Sequence, residues 1–228
     1  MEYISKDRNK ETRQSIREVV LHFIRHGETK YSSRGDHEGH LTEIGQEQSR
    51  LAARKLFAEL SPGSVLAFYT SPRFRTRQTS EIIENELQVL NQGSDKQILF
   101  HNLRPNTVKR VGLEDSVTKA SLDLIFAGLD PVTTWLENPN NMTAEMETNF
   151  LSFLKKFSGL AHRISPIGLD VHLVIVTHTG PSELFVAKLL ETKSLSTLAN
   201  GEEFKIKLPV SDNKPTLTYK GLTNEISF

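Results

Sequence analysis

A chain of 228 residues with 37% apolar and 25% charged content can bury a full core as a globular protein. Its 28 basic and 28 acidic residues cancel, so no overall field recruits nucleic acid or a membrane surface. The absence of cysteine excludes disulfides, thiolate nucleophiles and thiolate-ligated zinc, and fits a cytoplasmic setting.

No apolar run approaches the length of a membrane span, and Met1 to Arg17 is too polar for a secretory signal. We read residues 1–18 as a polar arm ahead of one domain over 19–228. Val19 to Ile24 is a strand-like apolar run that ends in Arg25, His26 and Gly27. A polar loop follows, Lys30 to His40. Its His37 and His40 stand at i and i+3 rather than the i and i+4 of a metal-binding helix, so no metal site is expected there. Thr42 is a fitting N-cap for a helix to about Leu60, with Ile44, Leu51, Leu56 and Leu60 as its inward stripe.

A second strand over Val65 to Thr70 leads into Ser71-Pro72-Arg73-Phe74-Arg75 and a helix to about Leu90, with Ile82, Ile83, Leu87 and Leu90 at helical spacing. Arginines at a helix start oppose its dipole, so at least one is expected to be functional. Gln97 to His101 reads as a short strand. Residues 102–141 read as a cap insertion: one helix carrying Leu122, Ile125, Phe126 and Leu129, then irregular chain with Pro131, Trp135 and Pro139. A core helix starts at Thr143, and a third strand, Leu173 to Thr177, delivers His178. Pro181 suits the first turn of the next helix. Phe204–Leu208 and Leu217–Tyr219 alternate as half-exposed strands. This alternation predicts an α/β fold: a three-layer α/β/α sandwich with a mostly parallel central sheet. Ligands of such sheets bind at the strands' carboxyl ends, where three strands ending in His26, in arginines and in His178 would line one crevice suited to a phosphoryl group.

Arg25-His26-Gly27-Glu28-Thr29 with Leu41-Thr42-Glu43-Ile44-Gly45, then Ser71-Pro72-Arg73-Phe74-Arg75-Thr76-Arg77-Gln78-Thr79, then Thr177-His178-Thr179-Gly180 resemble, in order, the motifs of the histidine phosphatase (phosphoglycerate mutase-like) superfamily. The resemblance implies a phosphoglycerate mutase-like fold and a metal-independent phosphoric monoester hydrolase without cofactor. His26 would be the nucleophile, forming a phosphohistidine. Arg25 and Arg75 would grip the phosphoryl oxygens as planar forks. A cationic His178 would donate to the same oxygens, with Thr179 and the backbone N–H groups of the following helix start completing an anion site. Arg73 and Arg77 would be surface or supporting residues, and His22, His101, His162 and His172, which lie outside the motifs, structural or surface ones.

Two departures stand out. Relatives carry a glutamate within Leu-Arg-Glu after the second motif, where this chain has Leu103-Arg104-Pro105. Glu114, or Asp115 beside it, is the candidate general acid, with an ordinary exposed acidic pair as the alternative. Ser32 lies where relatives often place an asparagine. Two other readings stay open: a phosphoglycerate mutase-type phosphotransferase, and a non-catalytic phospho-ligand-binding module. The partner expected is a small-molecule phosphoester or a phosphoprotein. The oligomeric state is not legible.

Overall fold

The structure, a computed structural model, describes residues 18–30, 39–107, 115–164, 169–192, 195–209 and 213–228. The proposed arm, the His37 side of the first loop, Ser32 and Glu114 lie outside these residues.

Strand β1 (Glu18–Arg25) sits in the middle of a seven-stranded sheet. It pairs in parallel with β6 (Val171–Thr177), which pairs in parallel with β4 (Val65–Thr70), which pairs in parallel with β5 (Leu99–Thr107). On its other side β1 pairs antiparallel with β7 (Glu203–Pro209), followed by β8 (Thr216–Tyr219) and β9 (Leu222–Glu225). Two short strands, β2 (Thr29–Lys30) and β3 (His40–Leu41), form a separate pair. β1 and β6 are buried on both faces, which explains why they read as unbroken apolar runs.

Helices cover both faces. Val19, Leu21 and Phe23 of β1 point to one core with Phe150, Leu154 and Phe157 of α5 (Asn141–Ile164) and Phe185 of α6 (Pro181–Leu189). Within it Phe23 stacks on Phe204 at 4.6 Å between centroids. Ile24, Val174 and Val176 point to the opposite core with α1 (Glu43–Glu59) and α2 (Phe74–Gln92). The expected three-layer α/β/α sandwich is therefore present, with four parallel strands and an antiparallel extension.

Several expectations are corrected. Of the expected α1 stripe, Leu56 and Leu60 are buried but Ile44 and Leu51 are exposed; Gly45, Ser49, Ala52 and Ala53 take the inward positions instead. Small residues suit that face because α1 packs directly on the backbone of the turn after β1. β5 runs nine residues, well past His101. Residues read as irregular after Leu129 form α4 (Pro131–Glu137), started by Asp130, whose carboxylate accepts the Thr133 N–H at 2.7 Å. The apolar residues Ile125, Phe126 and Leu129, at or just past the end of α3 (Asp115–Phe126), are half exposed rather than core. Trp135 of α4, with Leu124, packs against Met146 and Leu184.

Candidate active site

The turn after β1 is held by the residues of the first motif. Thr42 caps α1 by accepting the Gly45 N–H at 3.0 Å, and its own N–H donates to the Glu28 carbonyl at 3.0 Å. The Thr42 hydroxyl donates to the Glu28 carboxylate at 2.7 Å, and Gln48 accepts the Glu28 N–H at 2.8 Å. A Cβ on Gly27 would lie 2.2 Å from the Gly45 carbonyl oxygen, and one on Gly45 would lie 2.2 Å from the Glu28 carbonyl oxygen. Both glycines are required because two backbones touch here, with no flexible side chain to give way. The Gly27 N–H donates to Thr79 of α2 at 3.2 Å.

This scaffold presents His26 at the carboxyl end of β1, beside His178 at the end of β6. The two rings are 5.1 Å apart and edge-on at 68°. Arg75, from the first turn of α2, lies between them: its Nε–H donates to His26 Nε2 at 3.2 Å and its Nη2 donates to His178 Nδ1 at 3.1 Å. All three side chains are nearly fully buried, at 5–6% exposure.

The hydrogen bonds fix the tautomers. His26 Nδ1 lies 2.8 Å from the Gly27 carbonyl, which can only accept, so Nδ1 carries the proton and Nε2 presents its lone pair to the guanidinium. His178 Nδ1 accepts from Arg75, so its Nε2 carries the proton and donates to the Ser71 hydroxyl at 2.8 Å. The expected cationic His178 is therefore corrected. Burial first, then the charge of Arg75, holds its pKa well below the ordinary imidazole value. The same causes bring His26 down to about 3.

A pH consequence follows. Both imidazoles have folded pKa values below their unfolded ones, so the unfolded chain takes up protons first on acidification. Their contribution to stability is present above about 6.5 and is lost as pH falls below it, for His26 toward about 3. The His26 lone pair stays available through the same range. The kcat/KM profile for an aryl phosphate, corrected for substrate titration, should show no loss of a base near pH 6.5. A fall with an apparent pKa near 6.5 would mean that His26 titrates as an ordinary imidazole.

Arg25 ends β1 and is partly buried. Its N–H donates to the Glu202 carbonyl at 2.9 Å, and its Nη1 donates to the Leu198 carbonyl. The structure thus brings Arg25, His26, Arg75 and His178 to one sheet edge. Arg73 precedes α2 and its positive charge bears on His178, while Arg77 is exposed over the Phe74 ring. Thr179 is half-buried in the turn after His178. At the start of α6 the Gly180 N–H donates to the Glu183 carboxylate at 2.7 Å and Pro181 has no N–H, so neither of these two positions supplies a donor to the expected anion site.

Sequence reasoning missed three supports. The Ser71 hydroxyl accepts the His178 Nε2–H hydrogen bond. Asn200 donates to the His26 carbonyl at 2.9 Å. Glu183, in the first turn of α6, joins two loops of the site. Its position three residues after the helix-starting glycine was a readable capping signal; the other two contacts join residues too distant in sequence to be read.

His22 and His172 are both buried. His22 Nε2 and His172 Nδ1 are 3.0 Å apart, and His22 Nδ1 meets Glu203 at 3.1 Å. Among the described residues, the grouping with metal-ligand spacing is His22, Glu59 and Glu203, in this same cluster away from the site. The Lys205 ammonium already neutralises it, at 2.7 Å from Glu59 and 3.6 Å from Glu203.

Residues 21–97 match the sequence model of the histidine phosphatase superfamily (branch 1), which covers the first two motifs. The fold is similar to that of several solved structures. "Mycobacterial hydrolase 2" superposes with a TM-score of 0.59 at 16% identity, over 93% of this chain and 94% of that one. A mycobacterial glucosyl-3-phosphoglycerate phosphatase gives 0.52 at 16% identity, over 84% and 91%. YhfR of Bacillus stearothermophilus gives 0.51 at 17% identity, over 92% and 98%. No curated protein matches the sequence. Among the described residues, no helix is long and apolar enough to cross a membrane.

Proposed function

We propose that this chain is a metal-independent phosphatase, a phosphoric monoester hydrolase that works through a phosphohistidine on His26. The observation that carries this reading is the pair of neutral imidazoles bridged by one buried guanidinium, with the His26 Nε2 lone pair turned into the bridge. An incoming phosphoryl group competes for the donors of Arg75 and Arg25, and so releases that lone pair for in-line attack on phosphorus. The P–O bond to the leaving alcohol breaks as the P–N bond forms. Water then cleaves the P–N bond, returning His26 and inorganic phosphate. The arginines neutralise the equatorial oxygens throughout. The bound dianion also raises the pKa of His178, which can then donate to it. The helices α3 and α4, against the Gly180 turn, fit a cap that selects the substrate, a small phosphoester or a phosphoprotein.

Chelator treatment should leave the rate unchanged, because the arginines supply the positive charge. Loss of activity on chelation, restored by zinc or manganese, would overturn the metal-free reading.

Glu114 remains the proposed general acid. Protonation matters most for a poor leaving group, so Glu114→Gln should slow alkyl phosphates about 10²-fold or more and barely alter a nitrophenyl ester. Equal slowing of both would indicate a lost binding contact instead.

A non-catalytic phospho-ligand module is the second reading, favoured by Pro105 standing where relatives carry an acid. Hydrolysis of an aryl phosphate by purified protein separates the two. Dependence on bisphosphoglycerate would point to the mutase alternative.

A further inference from the structure

Glu183 is buried, carries a carboxylate and takes no direct part in the chemistry proposed above. Its exposure is 1%. Burial raises its pKa, against the opposing pull of two backbone N–H groups and the charge of Arg25. One oxygen accepts the Gly180 N–H at 2.7 Å, closing the turn that begins at His178. The other accepts the Leu198 N–H at 2.6 Å, fifteen residues away. A glutamate that only caps a helix needs the first contact; the second does nothing for α6.

The Leu198 contact has a direction. The carbonyl of Leu198 accepts Arg25 Nη1, so the residue tethered by Glu183 is the one that holds the Arg25 guanidinium. The same loop reaches the site twice more. Gly201 donates its N–H to the Arg25 carbonyl at 3.1 Å, and Asn200 donates to the His26 carbonyl. One carboxylate therefore ties the His178 turn to the segment that aims Arg25.

We propose that Glu183 is a positioning residue: it fixes the Arg25 guanidinium relative to His178, and so sets the affinity of the site for the phosphoryl group. This rests on the phosphatase reading for its consequence in turnover, but its effect on oxyanion binding can be read without turnover.

The test is a double-mutant cycle between Glu183 and Arg25, with orthovanadate affinity and kcat/KM for an aryl phosphate as parallel readouts. Glu183→Gln keeps the shape but puts an NH2 group against one of the two backbone donors. Glu183→Asp keeps the charge and the cap but is one methylene too short to hold both N–H groups. In the presence of Arg25, each should weaken vanadate binding and kcat/KM by about 10-fold or more. In an Arg25→Ala background, the same changes should cost less than about threefold. Equal losses in both backgrounds would overturn the proposal, as would failure of both Glu183 variants to fold, since either assigns the residue to stability alone. Vanadate binding without any ester hydrolysis by the unaltered protein would refute the phosphatase reading and leave the cycle readable in binding.

Discussion

Replacing His26 by alanine should remove phosphomonoester turnover, by about 10⁴-fold or more, while the protein stays folded. The size follows from role: no other described side chain in the site offers a lone pair in the same place. His178 Nδ1 accepts from Arg75 and its Nε2 carries the proton held by Ser71. The fold should survive because the turn is held by other atoms. Thr42, Gln48, Thr79 and Asn200 bind the backbone of residues 26–28 and make no use of the imidazole. The variant should keep a cooperative thermal transition and should unfold less readily in acid, having lost a group that protonates on unfolding. A residual rate above roughly a tenth of the original would contradict nucleophilic catalysis by His26.

Arg75→Ala should be the next largest loss, about 10²–10³-fold in kcat/KM, in the range for deleting one strong donor to a developing oxyanion. It carries a second signature. The charge of Arg75 is the second cause, after burial, of the lowered pKa of both His26 and His178. Its removal should let both imidazoles titrate at higher pH, measurable by NMR of the ring protons. Arg75→Lys separates charge from shape. A lysine ammonium keeps the Coulombic effect on the imidazoles but lacks the planar fork that reaches both rings. The lysine variant should therefore keep low imidazole pKa values and still lose most of the rate. Recovery of the full rate by lysine would show that the site needs only a positive charge.

Much of this site was legible because its residues lie where apolar runs stop. Arg25 ends an eight-residue strand buried on both faces and His26 follows it, as His178 follows a second buried strand. A continuous run of Val, Ile and Leu ending in an imidazole marks both the strand and its functional end. Helix faces were harder. Ile44 and Leu51 have the spacing of a core stripe, yet α1 meets its neighbours through Gly45, Ser49, Ala52 and Ala53. Close backbone approach, set by the turn at Gly27, outweighed side-chain hydrophobicity there. α4 was missed because Pro131 and Pro139 read as breakers, although a proline just after Asp130 is a helix start. Asn200 and Leu198 act on His26 and Arg25 across more than 170 residues of sequence, with nothing local to announce them. The protonation of His178 was misjudged for a different reason. Its motif bears on the phosphoryl contact proposed for it, whereas its resting charge is decided by burial and by Arg75.

The central claim is the covalent intermediate on His26. The direct measurement is to mix the protein with a radiolabelled aryl phosphate, quench within the turnover time into base, and map the label to a peptide. The account predicts acid-labile, base-stable label on the peptide containing His26, released by water at the rate of turnover and absent from His26→Ala. Label on a different residue, or hydrolysis at full rate with no base-stable label at any time, would contradict it.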